Sequence, residues 1–347
     1  MPITFSALDM VRVRRSAARA ARAAVAPSSA ASIPLPYVEG QTMDLKTPDG
    51  RHVQVIITRI CSVTISPVME VQIKLPDGGR KAILKLFDPR FGEHRERHPY
   101  SQQAEATWQD AVRSGLAKSV FDHLEHENDQ RIKARLGIEG SDDDQDDQDE
   151  EEDEEDEEDD PREDEAIIFH RMRQLFETEV RAYSQLEPLQ GRCIPRFIES
   201  VMVDSPDAPP DLPAFYFQVP GVLLDYIPSF MLAELPLRIP NNPLLWERII
   251  QSAVDTAKEV NRAGVVHRDC QPRNFLVAET APGEYQAYLI DFAQCAFRDD
   301  YRDTEDEDDE DGFPYIVYST DNHRGIRLLM EKKLLPYRIP IKLPVDK

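Results

Sequence analysis

Two periodicities divide this 347-residue chain into recognisable segments. A period of two runs through Val68-Met69-Glu70-Val71-Gln72-Ile73 and again through Lys81-Ala82-Ile83-Leu84-Lys85-Leu86. Both read as strands, and Asp77-Gly78-Gly79 between them is a hairpin signal. Leu223-Leu224-Asp225-Tyr226-Ile227, after the apolar Phe215-Tyr216-Phe217, predicts another strand running into a connecting segment. Elsewhere the period is that of a helix. Phe176, Val180, Tyr183 and Leu186 fall on one face, as do Leu245, Ile249, Ala253 and Ala257 of a second segment. Asn241-Asn242-Pro243 opens that second helix, and Gly264 can end it in the left-handed conformation. Tyr100 to Leu136 is helical by the same criterion, with Trp108, Ala111, Val112 and Leu116 on one face, and the stretch from Asp321 through Leu328-Leu329-Met330 predicts a last helix.

Two of the short apolar runs end in polar residues of particular chemistry. Val265-Val266 leads into His267-Arg268-Asp269-Cys270-Gln271-Pro272-Arg273-Asn274, and Ala287 to Ile290 leads into Asp291-Phe292-Ala293. They read H-R-D-x-x-x-x-N and D-F-A, close to the catalytic loop and the metal-binding D-F-G of protein kinases in order and nearly in spacing. Either motif alone is a frequent accident; the pair, each behind a strand-like run, is specific. The residue types suit phosphoryl transfer, in which catalysis is mainly positioning and charge neutralisation. Asp269 can accept a hydroxyl proton and orient the attacking oxygen. Asn274 and Asp291 offer the hard oxygen ligands that Mg²⁺ prefers. Arg268 is expected to fix the loop by pairing with a carboxylate or backbone groups, and His267 to pack against Phe292 rather than do chemistry.

Upstream, Ala82-Ile83-Leu84-Lys85 resembles the V-A-I-K strand of kinases, with Lys85 the group that would grip the α- and β-phosphates. Lys81 shares its face and competes for the role, but lacks apolar flanks. Glu179 borders the apolar face of its helix and is the expected ion-pair partner of Lys85, whereas Glu177 reads as solvated. With these blocks, and with Lys85 to Phe91 and Gly191 to Arg196, the chain resembles a divergent protein-kinase-like domain of the fungal type over about residues 50–335. The resemblance implies an α+β, two-lobed fold: a small, mostly antiparallel β N-lobe with an αC-like helix, and an abbreviated helical C-lobe. It implies a leader over 1–45, an N-lobe over 46–222, and a hinge with C-lobe over 223–347. Backbone groups at Leu224, Asp225 and Tyr226 would take the adenine edge of ATP, Mg²⁺ would accompany it, and an unknown hydroxyl-bearing substrate, protein or small molecule, would accept the phosphate.

Departures from the pattern keep a second function open, a kinase-like scaffold without turnover. Cys61 to Pro67, where a glycine-rich loop would cover the phosphates, holds no glycine, leaving Ser62, Thr64 and Ser66 as hydroxyl donors. Gln271 stands where kinases carry a lysine, with Arg273 as the nearest substitute for contact with the transferred phosphate. Ala293 replaces the glycine after Asp291-Phe292. Only 56 residues follow Asp291, with no A-P-E among them, so a broad peptide-binding platform is not expected.

Charge sharpens the picture. The net charge of −24 is concentrated in two runs: residues 142–165 hold 20 acids and one arginine, and residues 299–311 hold 10 acids and one arginine, leaving +4 elsewhere. Runs of this kind predict solvated loops, with a basic partner as the functional alternative. Five arginines between Arg12 and Arg22 resemble a mitochondrial transit peptide, although Asp9 counts against it. Cys61, Cys193, Cys270 and Cys295 follow neither a zinc nor a disulfide spacing, which fits a cytoplasmic or nuclear setting. No apolar run is long enough to span a membrane, and no nucleic-acid partner is expected.

Overall fold

The computed structural model describes residues 36–63, 66–75, 78–91, 95, 100–136, 160–205, 208–240, 242–304, 306 and 308–337. The leader through residue 35, Thr64, Asp77, Asn241 and the acidic run from 137 to 159 lie outside the described residues.

Six strands, β1 (Thr42–Lys46), β2 (His52–Val63), β3 (Pro67–Ile73), β4 (Arg80–Leu86), β5 (Phe197–Asp204) and β6 (Gln218–Asp225), form a closed barrel in the order β1-β2-β3-β4-β6-β5. Every neighbouring pair is antiparallel, and Lys46 opposite Met202 closes the ring. Strand alternation sorts the side chains of β4 and β6. Leu84, Leu86 and Leu223 point into the barrel with Val55, Ile57, Met69 and Val71. Ile83, Val222 and Leu224 point outward into a second cluster shared with the helices. Lys85 has the parity of Ile83, so the strand register itself turns it outward, opposite Val222. Gly221 makes the close pairing possible, since a Cβ there would lie 2.8 Å from the Lys85 carbonyl oxygen.

The predicted helix over 100–136 is two helices, α1 (Gln102–Ser114) and α2 (Leu116–Leu136). Gly115, at φ 82°, caps α1 and separates it from α2, yet Leu116 still packs against the cluster around Trp108. The helix expected around Phe176 begins much earlier, as α3 (Pro161–Gln185), so the end of the predicted acidic loop is helical. Asp160 caps it, Pro161 stands in its first turn, and Glu163 and Asp164 sit where a helix N-terminus favours carboxylates. Glu165 is buried in a forked pair with Arg95, at 2.8 and 2.7 Å. Aromatic packing joins α1 and α2 to α3: Trp108 stacks on Phe169 with ring centroids 3.8 Å apart.

After the barrel, α4 (Pro243–Arg262) is capped by Asn242 and buries Trp246, Ile249, Ile250, Ala253, Val254, Ala257 and Val260. Gly264, at φ 81°, turns the chain from α4 into β8 (Val265–His267). A three-stranded sheet follows, β7 (Phe230–Met231) and the hairpin β9 (Phe275–Ala281) and β10 (Glu284–Leu289), while β11 (Cys295–Phe297) pairs with β8. The single last helix expected from Asp321 is preceded by another: α5 (Phe313–Thr320) and α6 (Asn322–Leu334) are separated by Asp321 in the left-handed region at φ 43°. The strand expected over 223–227 begins earlier and ends at Asp225, as β6, and Phe215 to Phe217 form a 3₁₀ turn ahead of it. This mixed architecture of antiparallel sheets and several helices is compatible with a kinase-like fold.

Candidate active site

Lys85 leaves β4 toward α3, where its Nζ bonds Glu179 Oε2 and reaches Asp291 Oδ1 at 2.6 Å. The three groups come from a strand, a helix and the residue pair after β10. Glu179 is fully enclosed and the Lys85 side chain only 8% exposed, whereas Asp291 is 47% exposed. Burial alone would lower the Lys85 ammonium, but the carboxylates of Glu179 and Asp291 override it and raise it well above its ordinary value. Glu179 is raised by its burial, with Lys85 offsetting part of that. Burial would raise Asp291 too, yet the Lys85 ammonium holds its carboxyl below the usual range. With all three charged, the trio carries one net negative charge, and its accessible member is Asp291.

Asp291 lies at φ 69°, a conformation that a non-glycine residue adopts only where its surroundings hold it. The next residue supplies part of that hold: Phe292 is buried, 5.3 Å from the Tyr183 ring and 5.4 Å from His267. His267 therefore packs as expected; its Nε2 lies 3.0 Å from the Ile290 carbonyl oxygen, and burial lowers its pKa. The backbone joins the two motif segments directly, the Ile290 N–H donating to the Asn274 carbonyl at 2.9 Å.

Around Asp269 the loop folds back through the 3₁₀ turn Pro272–Asn274. Arg273 Nη2 donates to both carboxylate oxygens, at 2.8 and 2.9 Å. Asn274 Nδ2 donates to Asp269 Oδ2 at 2.9 Å and to the Asp269 carbonyl at 2.8 Å. Both nitrogen bonds of that amide thus face Asp269, which leaves its oxygen as the group for a cation. Arg268 departs from expectation. Among the described residues its partner is the Tyr301 hydroxyl, 2.9 Å from Nη2, rather than a carboxylate or the backbone.

The expected adenine-binding stretch is only partly free to act as one. Leu224 is paired on both sides within the barrel, the Asp225 N–H donates to the Arg196 carbonyl at 2.9 Å, and the Asp225 carboxylate pairs with Arg80. Strand pairing stops at Asp225, so Tyr226 is the first of the three beyond the ladder. Lys81, the competitor of Lys85, lies over the Tyr226 ring at 4.9 Å, away from the acidic pair. Ser66 is buried, and Ser62 stands in β2 opposite Val68.

Among the described residues no three His, Cys, Asp or Glu side chains cluster as a metal site. The residues nevertheless suit Mg²⁺, which binds through one or two protein oxygens and completes its shell with water and substrate phosphates. Asp291 and the Asn274 amide oxygen are that kind of donor set. Sequence reasoning passed over Tyr301 and Arg181. The available signal for Tyr301 was its aromatic ring alone amid the acids of residues 299–311.

A family model described as "Lipopolysaccharide kinase (Kdo/WaaP) family" matches residues 243–310. The match runs from α4 through both motif segments to the second acidic run, and takes in Asp269, Asn274 and Asp291 but neither Lys85 nor Glu179. This stretch is similar to a kinase family of the protein-kinase-like superfamily. No curated protein matches the chain. Among the described residues no helix is long and apolar enough to cross a membrane.

Proposed function

We propose that the chain is an ATP-dependent phosphotransferase, a divergent and fungal-type member of the protein-kinase-like superfamily. The barrel with α3 would form its small lobe, and the part from residue 223 onward its hinge and large lobe. The observation that carries the reading is the convergence of Lys85, Glu179 and Asp291, residues 94 and 206 positions apart from Lys85 in the chain. A half-exposed carboxylate of depressed pKa beside an enclosed lysine–glutamate brace is the kind of perturbed charge cluster that functional sites concentrate.

In this reading Lys85, held in place by Glu179, binds the α- and β-phosphates, and Tyr226 presents backbone groups to the adenine. Bound with the nucleotide and held by Asp291 and Asn274, Mg²⁺ would supply neutralisation of charge on the phosphate oxygens. Asp269 orients the acceptor hydroxyl and takes its proton as the oxygen bonds to the γ-phosphorus and ADP departs with the β–γ bridging oxygen. Arg273 moves from Asp269 toward the transferred group, which Gln271 cannot neutralise. The likeness of residues 243–310 to a lipopolysaccharide kinase family supports a carbohydrate-borne hydroxyl as acceptor over a peptide. The first acidic run would serve a basic partner, in a cytoplasmic or nuclear setting.

One observation favours a scaffold without turnover: both oxygens of Asp269 are engaged by Arg273 and Asn274. Thermal melting separates the readings. Millimolar Mg·ATP is expected to raise Tm by several degrees through mass action, and Asp291→Ala to abolish the rise. Turnover of ATP is expected to fall at least 100-fold in Asp269→Asn while the melting shift persists. A melting shift with no wild-type turnover supports the scaffold; no shift at all refutes nucleotide binding.

A further inference from the structure

We infer that Tyr301 is a positioning residue for the candidate active site: its hydroxyl latches Arg268, and so the Asp269 loop, to the segment that leaves Asp291. The catalytic consequence rests on the phosphotransferase reading, whereas the latch itself rests on geometry. From Asp291 the chain runs through β11, which pairs with β8, and through the 3₁₀ turn Arg298–Asp300 to Tyr301. Tyr301 is 5% exposed and packs with Val266, Ala296 and Phe313, its ring centroid 6.2 Å from that of Phe313. Arg268 Nη2 donates to its hydroxyl at 2.9 Å. The guanidinium of Arg135, in the last turn of α2, covers its ring at 4.9 Å.

The neighbouring residue extends the connection. Asp300 accepts from Arg181 Nη1 at 2.9 Å through both oxygens, and Arg181 lies over the Phe297 ring at 4.0 Å. Arg181 is two residues from Glu179 on α3. The pair Asp300–Tyr301 therefore joins the helix that carries the lysine brace, the loop that carries Asp269, and the C-terminal end of α2.

The chemistry of the latch suits its place. It sits in a run of 10 acids, where a carboxylate in its place would add one more negative charge. A phenol holds the guanidinium by a charge-assisted hydrogen bond without that charge.

The test compares wild type, Tyr301→Phe, Arg268→Gln and the double variant in the full-length chain. Tyr301→Phe keeps the ring and loses one hydrogen bond. It is expected to speed amide exchange of residues 268–274 about tenfold, to lower kcat about tenfold, and to leave KM for ATP within twofold. If the hydroxyl acts through Arg268, the double variant loses no more kcat than Arg268→Gln alone. Tyr318→Phe, at an exposed ring on α5, is the control and changes none of these. Exchange of 268–274 unchanged in Tyr301→Phe overturns the latch, as does unchanged kcat or an additive double variant. Should the wild type not turn over ATP, the phosphotransferase reading fails, and exchange alone decides the latch.

Discussion

At Lys85 two large opposing effects meet. Enclosing an ammonium and a carboxylate costs several kcal/mol for each ion, and only their close contact offsets it. Glu179 is wholly enclosed, and its Oε1 has no hydrogen-bond partner among the described residues, so the brace depends on Lys85. Replacing one partner leaves a bare buried charge, whereas replacing both with apolar groups does not. Lys85→Met is therefore expected to destabilise the fold by about 3–5 kcal/mol, and Lys85→Met with Glu179→Leu to recover most of it. Urea unfolding of the two variants measures this; a double variant as unstable as the single one would show that the pair contributes more than mutual neutralisation. Motif resemblance, with the strand flanks of Lys85 and the helix face of Glu179, identified Lys85, Glu179 and Asp291 as a set; the motifs are short windows. They did not reveal that Arg273 spans Asp269, or that Arg268 is held by a phenol, because both depend on where a loop folds back.

Among the elements, α3 shows where local reading stops. Its C-terminal half was legible because Phe176, Val180, Tyr183 and Leu186 repeat at helical spacing. The N-terminal half, from Pro161, follows a run of acids and reads as solvated until its apolar partners are known. Those partners are α1 and α2, whose Trp108 and Phe121 pack with Phe169 of α3 and with Tyr216 and Phe217 of the 3₁₀ turn ahead of β6. Trp108 is fully buried, and its indole N–H donates to the Tyr216 carbonyl at 3.1 Å. Trp108→Ala is expected to cost about 3–5 kcal/mol. Amide exchange is expected to rise first at residues 165–172, ahead of those around Glu179. Uniform loss of protection along α3 would mean that the helix pair does not anchor that end separately. The breaks at Gly115 and Asp321 were missed for a related reason: one left-handed residue leaves the apolar repeat almost intact.

Across the molecule, β4 and β6 present one face to the barrel interior and the other to the helical cluster, so the two cores share strands and protect one another. Cysteine chemistry can read this out. Cys61 is exposed, Cys193 and Cys270 are buried, and burial pushes the Cys193 thiol up to about 11 and the Cys270 thiol higher still. At pH 8 a thiol reagent is expected to label Cys61 at once and Cys193 and Cys270 only through opening of the structure, because the thiolate is the reactive form. Saturating Mg·ATP should slow the two late reactions. Prompt labelling of Cys270 would contradict a closed Asp269 loop.

By itself the sequence determined whatever short windows carry: the alternation of β3 and β4, the face of α4, the cap at Asn242, and the two motif segments with their acids. Residues within a few positions of one another establish these through backbone period and residue type. Only the tertiary structure decided the barrel closure at Lys46 and Met202, the contact of Lys85 with partners 94 and 206 residues away, and the Arg268–Tyr301 bond. Ionisation belongs with these. Asp291 is held low and Glu179 raised because a carboxylate responds to the charges and the solvent around it, and the fold supplies both.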